Sequence, residues 1–303
     1  MKAVQFNEYG SPGVLHVVDV DEPHAGPGQV RIAVRAAGVN PSDWKRMAGQ
    51  YRDHEEVTFP SGLGVEGSGI VDEVGPVVSN VSVGDAVFGC GEHTMAMAQY
   101  AVLSCWAHKP ENLSFEVAGG LPVVADTATR ALDEVGVKSG ETLLVSGAAG
   151  GIGSAVLQFA RLRGITVIGT ASVQKHDYLR GLGAIPTTYG PGLAQRVKDL
   201  APPGVDAALD LAGSGIVPEL IEIVGGPSHV LSVADFSATK YGAKFSHGPS
   251  KDLERILADV ARLCSDGLFH LHVDQTFPLE QTAEAQEISA KEHVTGKLVI
   301  TVS

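Results

Sequence analysis

Residues 143–160 read LLVSGAAGGIGSAVLQFA, and this stretch constrains the fold more than any other part of the chain. An apolar run ends in four glycines between Gly147 and Gly153, and apolar residues then recur at helical spacing, at positions 155, 156, 159 and 162. Glycine permits positive φ and close approach of the backbone to a ligand, and the first turn of a helix attracts anions. The stretch predicts a strand, a tight turn and a helix that hold a pyrophosphate; a glycine turn without a ligand is the alternative.

The segments around this turn alternate between helix-like and strand-like patterns from about residue 123 onward, as in TATRALDEVG, ETLLVSGA, ITVIGTA and VDAALDLAG. This alternation predicts βαβ units on a doubly wound parallel sheet, of class α/β. The first 110 residues instead contain short runs rich in Val, Gly and Pro, which predict a compact all-β unit. The β-rich end after Gly267 is expected to complete that first unit. The predicted domains are therefore 1–122 plus 268–303, and 123–267.

Composition and charge exclude several classes of partner. The 35 Asp and Glu residues outnumber the 22 Lys and Arg residues, and the formal charge of −13 disfavours nucleic acid and anionic lipid. No apolar stretch reaches the roughly 18–20 residues of a membrane span, and the N-terminal sequence lacks an export signal, so we expect a cytoplasmic protein without a membrane partner. The three cysteines are widely spaced and are interpreted as buried thiols.

The end of the strand ITVIGTAS, about 20 residues beyond the glycine turn, predicts which dinucleotide binds. A carboxylate there would accept hydrogen bonds from the ribose of NAD, but the sequence continues TASVQKHDYLR. Ser172 can donate a hydrogen bond and Lys175 brings positive charge, so the sequence favours the 2′-phosphate of NADP. The alternative is that Lys175 belongs to a solvated helix start.

Motifs along the whole chain carry a resemblance to a known family: MKAVQFNEYGSPGVL, PGQVRIAVRAAGVNPSDWKRMAGQY, VGDAVFG, LPVVADTATRAL, LLVSGAAGGIG, VDAALDLAG and HVTGKLVI. The chain resembles the zinc-independent medium-chain dehydrogenases/reductases, in particular the quinone oxidoreductases that include ζ-crystallin, and their enoyl-reductase relatives. The resemblance implies a GroES-like, partly open β-barrel catalytic domain, a Rossmann domain that binds NADP(H), a cleft where cofactor and substrate meet, and a homodimer formed by edge strands.

Departures from the alcohol dehydrogenases of this superfamily argue against a metal. Those enzymes carry Cys where this chain has Asn40 and His where it has Val65; an aliphatic side chain cannot bind zinc, and an amide oxygen is a poor ligand for it. Three scattered cysteines cannot supply a second zinc site, and His270 and His272 have no third ligand. We expect no metal.

Without a Lewis acid, hydride transfer needs an activated acceptor. The expected reaction is reduction of a quinone or an α,β-unsaturated carbonyl compound by NADPH, a small electrophilic partner. Two alternatives stay open: a 2-enoyl thioester reductase, and an NADPH-binding sensor or structural protein without turnover.

The resemblance also implies roles for individual residues. Tyr51 would donate a proton or orient the substrate, or else only line the cleft. Asn40 would contact the nicotinamide-side ribose or the substrate, or else only cap a loop, with Asp43 in a structural role. Trp44 and Arg46 would shape or charge the substrate entrance.

Further cofactor contacts are carried over by motif. Thr127 would approach the nicotinamide; Gly150, Gly151 and Ile152 the pyrophosphate; Tyr189 the 2′-phosphate beside Ser172 and Lys175; Leu211 and Ala212 the ribose; and Val233 the nicotinamide region. Gln99 stands where relatives usually carry Glu, a departure without an assigned consequence.

Overall fold

The computed structural model describes residues 1–53, 55–91 and 95–303. The chain forms two compact units, Met1–Val123 with Asp252–Ser303, and Val124–Lys251. Within the described residues, no helix combines the length and the apolar character that a membrane crossing requires.

The N-terminal part of the first unit is mostly strand. Its elements are β1 (Lys2–Phe6), β2 (His16–Asp19), β3 (Val30–Val39), α1 (Pro41–Met47), β4 (Ser61–Gly62), β5 (Glu66–Val74), β6 (Ala86–Cys90), β7 (Tyr100–Leu103), β8 (Cys105–His108) and α2 (Phe115–Gly119). Strands β1, β2 and β4 form a small antiparallel sheet. Gln99 belongs to the same region, where its side-chain Oε1 accepts the backbone N–H of Lys2 at 2.8 Å, and both an amide oxygen and a carboxylate oxygen can accept such a bond.

The second unit contains the alternating elements. After α3 (Leu121–Val135), which crosses into it, follow β9 (Thr142–Ser146), α4 (Gly151–Leu162), β10 (Thr166–Thr170), α5 (His176–Gly181), β11 (Ile185–Thr187), α6 (Leu193–Leu200), β12 (Ala207–Asp210), α7 (Val217–Val224), β13 (Val230–Ser232) and β14 (Lys244–Phe245). The six strands are parallel in the order β11–β10–β9–β12–β13–β14. The prediction of a doubly wound Rossmann sheet is confirmed, with the order reversing beside β9.

The C-terminal elements are α8 (Leu253–Ser265), β15 (Val273–Pro278), α9 (Thr282–Ala290) and β16 (Lys297–Thr301). Strand β16 pairs antiparallel with β3, with Leu298 opposite Val39, so the last strand belongs to the sheet of the first unit. That sheet runs β15–β16–β3–β5–β6–β8, with β7 also on β3. Its strands bury Ile32, Leu103 and Ile300 in the core of the first unit, together with Phe6 from β1.

Helix α8 contacts β8 and belongs to the first unit, whereas the sequence pattern places residues 252–267 in the middle domain. The predicted domain boundaries 122/123 and 267/268 stay a prediction.

The interpretation of the cysteines as buried thiols is wrong for two of them: Cys264 is buried, but Cys90 and Cys105 are half-buried cross-strand neighbours on β6 and β8. The alternation of apolar residues in these short strands does not show how much of each sheet face is covered by other residues, and therefore how deeply Cys90 and Cys105 are buried.

Candidate functional site

The carboxyl ends of five adjacent parallel strands carry most of the predicted cofactor residues. Val145 of β9 pairs with Gly169 of β10, and Thr170 of β10 pairs with Thr187 of β11. On the other side, Ser146 of β9 pairs with Asp210 of β12. The register therefore brings the segments after these strands to one edge of the sheet. They contain Gly150, Gly151 and Ile152, then Ser172 and Lys175, then Tyr189, then Leu211 and Ala212, and Val233.

The glycine turn after β9 has the backbone that the sequence predicts. Gly147 has φ of 76°, and a Cβ on Gly153 would lie only 2.4 Å from the Gly147 carbonyl oxygen. Gly150 is the N-cap residue of α4, and the first turn of that helix contains no acidic residue. Because the first N–H groups of a helix have no intrahelical acceptor, this turn can receive an anion.

The ends of β10 and β11 meet beside this turn. The Ala171 N–H donates to the Thr187 carbonyl oxygen at 3.0 Å, so Ser172 and Tyr189 follow neighbouring strand ends. The Tyr189 side chain is exposed, and Ser172 and Lys175 are half-buried. The nearest carboxylate along the chain, Asp177, is exposed and accepts from Arg180 at 2.6 Å. A hydroxyl, an ammonium and helix N–H groups suit the phosphates of NADP, so the residues at this edge fit the group that the sequence predicts.

Asp210, at the end of β12, fixes the loops on the other side of the edge, and sequence reasoning did not select it. Its Oδ1 accepts the backbone N–H of Ala212 at 3.2 Å and of Gly213 at 3.0 Å, and its Oδ2 accepts the Ser232 hydroxyl at 2.8 Å. The backbone N–H of Val233 donates to the Asp210 carbonyl oxygen at 3.0 Å. The available signal was an aspartate followed by glycine three residues later, the pattern of a side-chain-capped turn.

Thr127 is not at a strand end but buried in α3. Its neighbour Asp126 accepts the backbone N–H of Ser250 at 3.1 and 3.3 Å through its two oxygens. The structure therefore groups nine of the predicted cofactor residues at the sheet edge and places Thr127 and Asn40 elsewhere in the fold.

Asn40 belongs to a buried polar cluster in the first unit. Its Nδ2 donates to Glu66 Oε1 at 2.9 Å, and its Oδ1 accepts from the ammonium of Lys297. The Glu66 side chain is fully buried, and its second oxygen accepts the Val123 N–H at 2.7 Å. Because an ammonium only donates and a carboxylate only accepts, these partners fix which way the Asn40 amide faces. Glu66 and Lys297 lie within the motifs GVEG and HVTGKLVI, but sequence reasoning did not identify them.

Asp43 has a structural role in the same cluster. Its Oδ2 accepts the Asn40 N–H at 2.8 Å across the first turn of α1. Burial raises the pKa of Asp43 to about 6, although the hydrogen bond from Asn40 and the charge of Lys297 act in the opposite direction. Asn40 is thus the N-cap residue of α1 by its backbone, whereas its amide group is held by Glu66 and Lys297.

Tyr51 follows α1 and is half-buried. Burial raises the pKa of its phenol above the ordinary value, and the carboxylates of Asp43 and Glu55 add to the shift. The hydroxyl is therefore protonated at neutral pH and able to donate a hydrogen bond. Tyr51 is therefore a weaker acid than a free tyrosine, because burial and the nearby carboxylates disfavour its phenolate.

Trp44 and Arg46 lie on α1, before Tyr51 along the chain, and their role at a substrate entrance stays a prediction. Arg46 donates to Glu55 at 2.7 Å and to Ser61 Oγ at 2.9 Å, so its charge is paired. The indole Nε1 of Trp44 is buried and has no hydrogen-bond acceptor in the part of the chain that the structure describes.

The positions that bind zinc in alcohol dehydrogenases hold Asn40 and the partly exposed Val65. Over residues 1–53, 55–91 and 95–303, no group of three His, Cys, Asp or Glu side chains is arranged to hold a metal ion. His270 and His272 are exposed and precede β15.

Comparison with protein families and curated proteins supports one lineage. The family "Alcohol dehydrogenase GroES-like domain" matches residues 26–128, and the family "Zinc-binding dehydrogenase" matches residues 192–300. Quinone oxidoreductase-like protein 2 of Mus musculus is 31% identical, over 95% of this chain and 89% of that protein. The NADPH-dependent alkenal/one oxidoreductase, chloroplastic, of Arabidopsis thaliana is 29% identical, over 99% of this chain and 79% of that protein.

A higher identity, 36% over 91% of this chain, is to the pikromycin polyketide synthase component PikAII of Streptomyces venezuelae, of which the chain spans only 8%. Among solved structures, the quinone oxidoreductase from Coxiella burnetii is 31% identical with a TM-score of 0.86, covering 100% of this chain and 99% of that one. Mycobacterial Rv1454c complexed with NADPH is 25% identical with a TM-score of 0.87, covering 99% and 100%. The chain therefore belongs to the zinc-independent quinone oxidoreductase family of the medium-chain dehydrogenase/reductase superfamily.

Proposed function

We propose that this protein reduces quinones or α,β-unsaturated carbonyl compounds with NADPH, without a metal. The observation that carries the proposal is the edge of the six-stranded sheet. The glycine turn follows β9 and leads into a helix whose first turn has no acidic residue, while Ser172 and Lys175 follow β10 and Tyr189 follows β11. The NADPH complex of the mycobacterial relative and the names of the mouse and Arabidopsis relatives support the same reading.

The cofactor would be held by residues of the second unit. The first turn of α4, with Gly150, Gly151 and Ile152, would take the pyrophosphate, and Ser172, Lys175 and Tyr189 the 2′-phosphate. Leu211, Ala212, Val233 and Thr127 would line the ribose and nicotinamide. When bound, NADPH supplies a hydride, which an acceptor whose negative charge spreads onto an oxygen can receive without a Lewis acid.

By the resemblance, Asn40 would contact the acceptor or the nicotinamide-side ribose, and its amide would supply a hydrogen-bond donor for that contact. One hydrogen of its Nδ2 is used by Glu66 and its oxygen accepts from Lys297, so one N–H remains. A donor whose orientation is fixed before the reaction stabilises developing negative charge without reorganisation. Tyr51 would donate a second hydrogen bond or the proton that completes the reduction.

The test is the initial rate of NADPH oxidation, with NADH in parallel, against 1,4-benzoquinone, a 2-alkenal and crotonyl-CoA. We expect turnover with NADPH on the quinone or the alkenal, a lower rate with NADH, and no change on adding a chelator. Turnover on crotonyl-CoA alone would favour the 2-enoyl thioester reductase, since a thioester enone is activated in the same way. Tight binding of NADPH with no turnover on all three would favour the sensor.

We also propose that the protein forms a homodimer through β14, the edge strand of the six-stranded sheet. The Phe236 and Phe245 rings lie 4.7 Å apart beside this edge, and Phe236 and Tyr241 are exposed. An open strand edge flanked by apolar rings suits a second copy of the chain. Light scattering on the purified protein, which gives the mass in solution, tests this proposal, and a monomer would contradict it.

A cytoplasmic location stays a prediction from the sequence.

A further inference from the structure

The loop that carries Tyr189 is held by a single side chain of α6. The guanidinium of Arg196 donates from Nη1 to the Pro191 carbonyl oxygen at 2.8 Å, and from Nη2 to the carbonyl oxygens of Thr188 at 2.9 Å and Gly190 at 3.1 Å. The Tyr189 carbonyl oxygen lies 3.4 Å from the same Nη2. Four consecutive carbonyl groups, those of residues 188–191, therefore converge on one cation.

Besides Arg196, the start of α6 contacts this loop, where the Leu193 N–H donates to the Gly190 carbonyl oxygen at 3.2 Å. Tyr189 is 57% exposed, and Gly190 and Gly192 adopt φ of 84° and 80°. Glycines at positive φ lose much conformational freedom when they are fixed, so a loop of this kind samples many conformations unless it is tied down.

Helix α6 gives Arg196 a rigid base. Leu193 and Val197, on either side of Arg196 in the helix, are buried in the core of the second unit. The backbone N–H of Arg196 donates to the Gly192 carbonyl oxygen at 3.2 Å, which ties the start of the helix to the end of the loop. The planar guanidinium presents several donors in a fixed geometry, which the single ammonium of a lysine does not reproduce.

We propose that Arg196 is a positioning residue that sets the preference for the 2′-phosphate of NADPH by holding Tyr189 beside Ser172 and Lys175. Its two terminal nitrogens are directed at loop carbonyl groups, so its part is to order the loop rather than to bind the phosphate. Ordering the loop in advance removes an entropic penalty from binding. The inference rests on the NADPH half of the proposed function.

The experiment measures the Kd of NADPH and of NADH by calorimetry on the wild type, Arg196→Lys and Arg196→Gln. Arg163→Lys is the matched control, because Arg163 is an arginine of the same unit whose guanidinium pairs with Asp133. We expect Arg196→Lys to weaken NADPH about tenfold, the equivalent of about 1.4 kcal/mol, and to leave NADH within about twofold. Arg163→Lys should leave the Kd of both cofactors unchanged. The kcat of Arg196→Lys at saturating NADPH should equal that of the wild type.

A coupling measurement separates positioning from a merely structural role. In a Tyr189→Ala background, Arg196→Lys should weaken NADPH no further, because the residue that it positions is gone. Additive effects of the two substitutions would overturn the inference. Loss of NADPH affinity in Arg196→Gln but not in Arg196→Lys would also overturn it, since charge rather than loop geometry would then be responsible.

The same Kd measurements on the wild type also test the NADPH preference in the proposed function. A wild type that binds NADH as tightly as NADPH contradicts that half, and the inference falls with it. A wild type that prefers NADPH, with the preference intact in Arg196→Lys, contradicts the inference alone. Equal weakening of both cofactors with a lowered Tm assigns Arg196 to folding and contradicts the inference.

Discussion

The ammonium of Lys297, from the last strand, lies 2.7 Å from Glu66 Oε1 at the start of β5, and both side chains are removed from solvent. These two residues are 231 positions apart along the chain, yet together they hold the amide of Asn40. A buried charge is tolerated only with a partner, so the pair couples the C-terminal strand to the N-terminal segment.

Removing one member of this pair should destabilise the protein strongly. We expect Lys297→Met to lower the free energy of unfolding by about 3–5 kcal/mol, because Glu66 would stay buried without its cation. Lys297→Met combined with Glu66→Leu should recover part of that loss. Urea unfolding followed by circular dichroism measures both. A double variant no more stable than the single variant would contradict the account.

Asp43 should make stability depend on pH in a direction opposite to the usual carboxylate. Its pKa of about 6 in the folded state exceeds the ordinary value of 3.8, so between these pH values the folded state binds more protons than the unfolded state. This group therefore contributes a stability that falls as pH rises from about 4 to about 6, with the full penalty present above pH 6.

Asp43→Asn should flatten this dependence. Asn at 43 retains an oxygen for the Asn40 N–H but carries no group that titrates in this range. The measurement is urea unfolding of wild type and variant at pH 4, 5, 6 and 8. A variant whose slope with pH equals that of the wild type would contradict the assignment.

The hydroxyl of Tyr51 can be tested with Tyr51→Phe. If the phenol donates the proton, kcat with an enone should fall by about 10²–10⁴-fold while the Kd of NADPH stays unchanged. Because the pKa of Tyr51 is raised, the wild-type rate should show no loss from its ionisation between pH 6 and pH 9. A kcat of the variant within about threefold of the wild-type value would show that Tyr51 does not donate the proton and only lines the site.

Gly153 should tolerate no side chain. In Gly153→Ala the Cβ would meet the Gly147 oxygen at 2.4 Å and Ala148 backbone atoms at 2.6 Å, so the turn must distort. We expect about 1–3 kcal/mol of destabilisation and weaker NADPH binding. The control is Gly181→Ala in α5, where the added Cβ would have no atom within 4 Å among the described residues, apart from its chain neighbours and its own helix backbone. Calorimetric Tm and Kd for both variants check this, and equal behaviour of the two would contradict it.

The cysteines should differ in reactivity. Burial raises the pKa of Cys264 to about 12, so almost none of this thiol is thiolate at pH 8. Cys90 and Cys105 are half-buried and should react with a disulfide reagent in the native protein. Counting released thiolate at pH 8 should give no more than two equivalents before denaturant is added and three afterwards. Rapid native reaction of Cys264, identified by peptide mapping, would contradict the prediction.

Much of the second unit could be predicted from the sequence because its signals are local. The glycines of the turn, the apolar strand before it and the helical spacing after it lie within 18 consecutive residues, 143–160, and each follows from the backbone freedom or side-chain period of the residues themselves. The lack of a carboxylate after β10 is likewise read directly from TASVQK.

Only the tertiary structure decided the contacts between distant residues. Glu66 and Lys297 looked like ordinary members of their motifs, because no sequence period links positions that meet through the pairing of β16 with β3. The four carbonyl groups on Arg196, and the three partners of Asp210, likewise depend on where loops fold after their strands end. Local pattern determined which elements form and where the predicted cofactor residues lie. The partners of buried polar groups were fixed by packing, because desolvation favours pairing with whichever donor or acceptor the fold brings near.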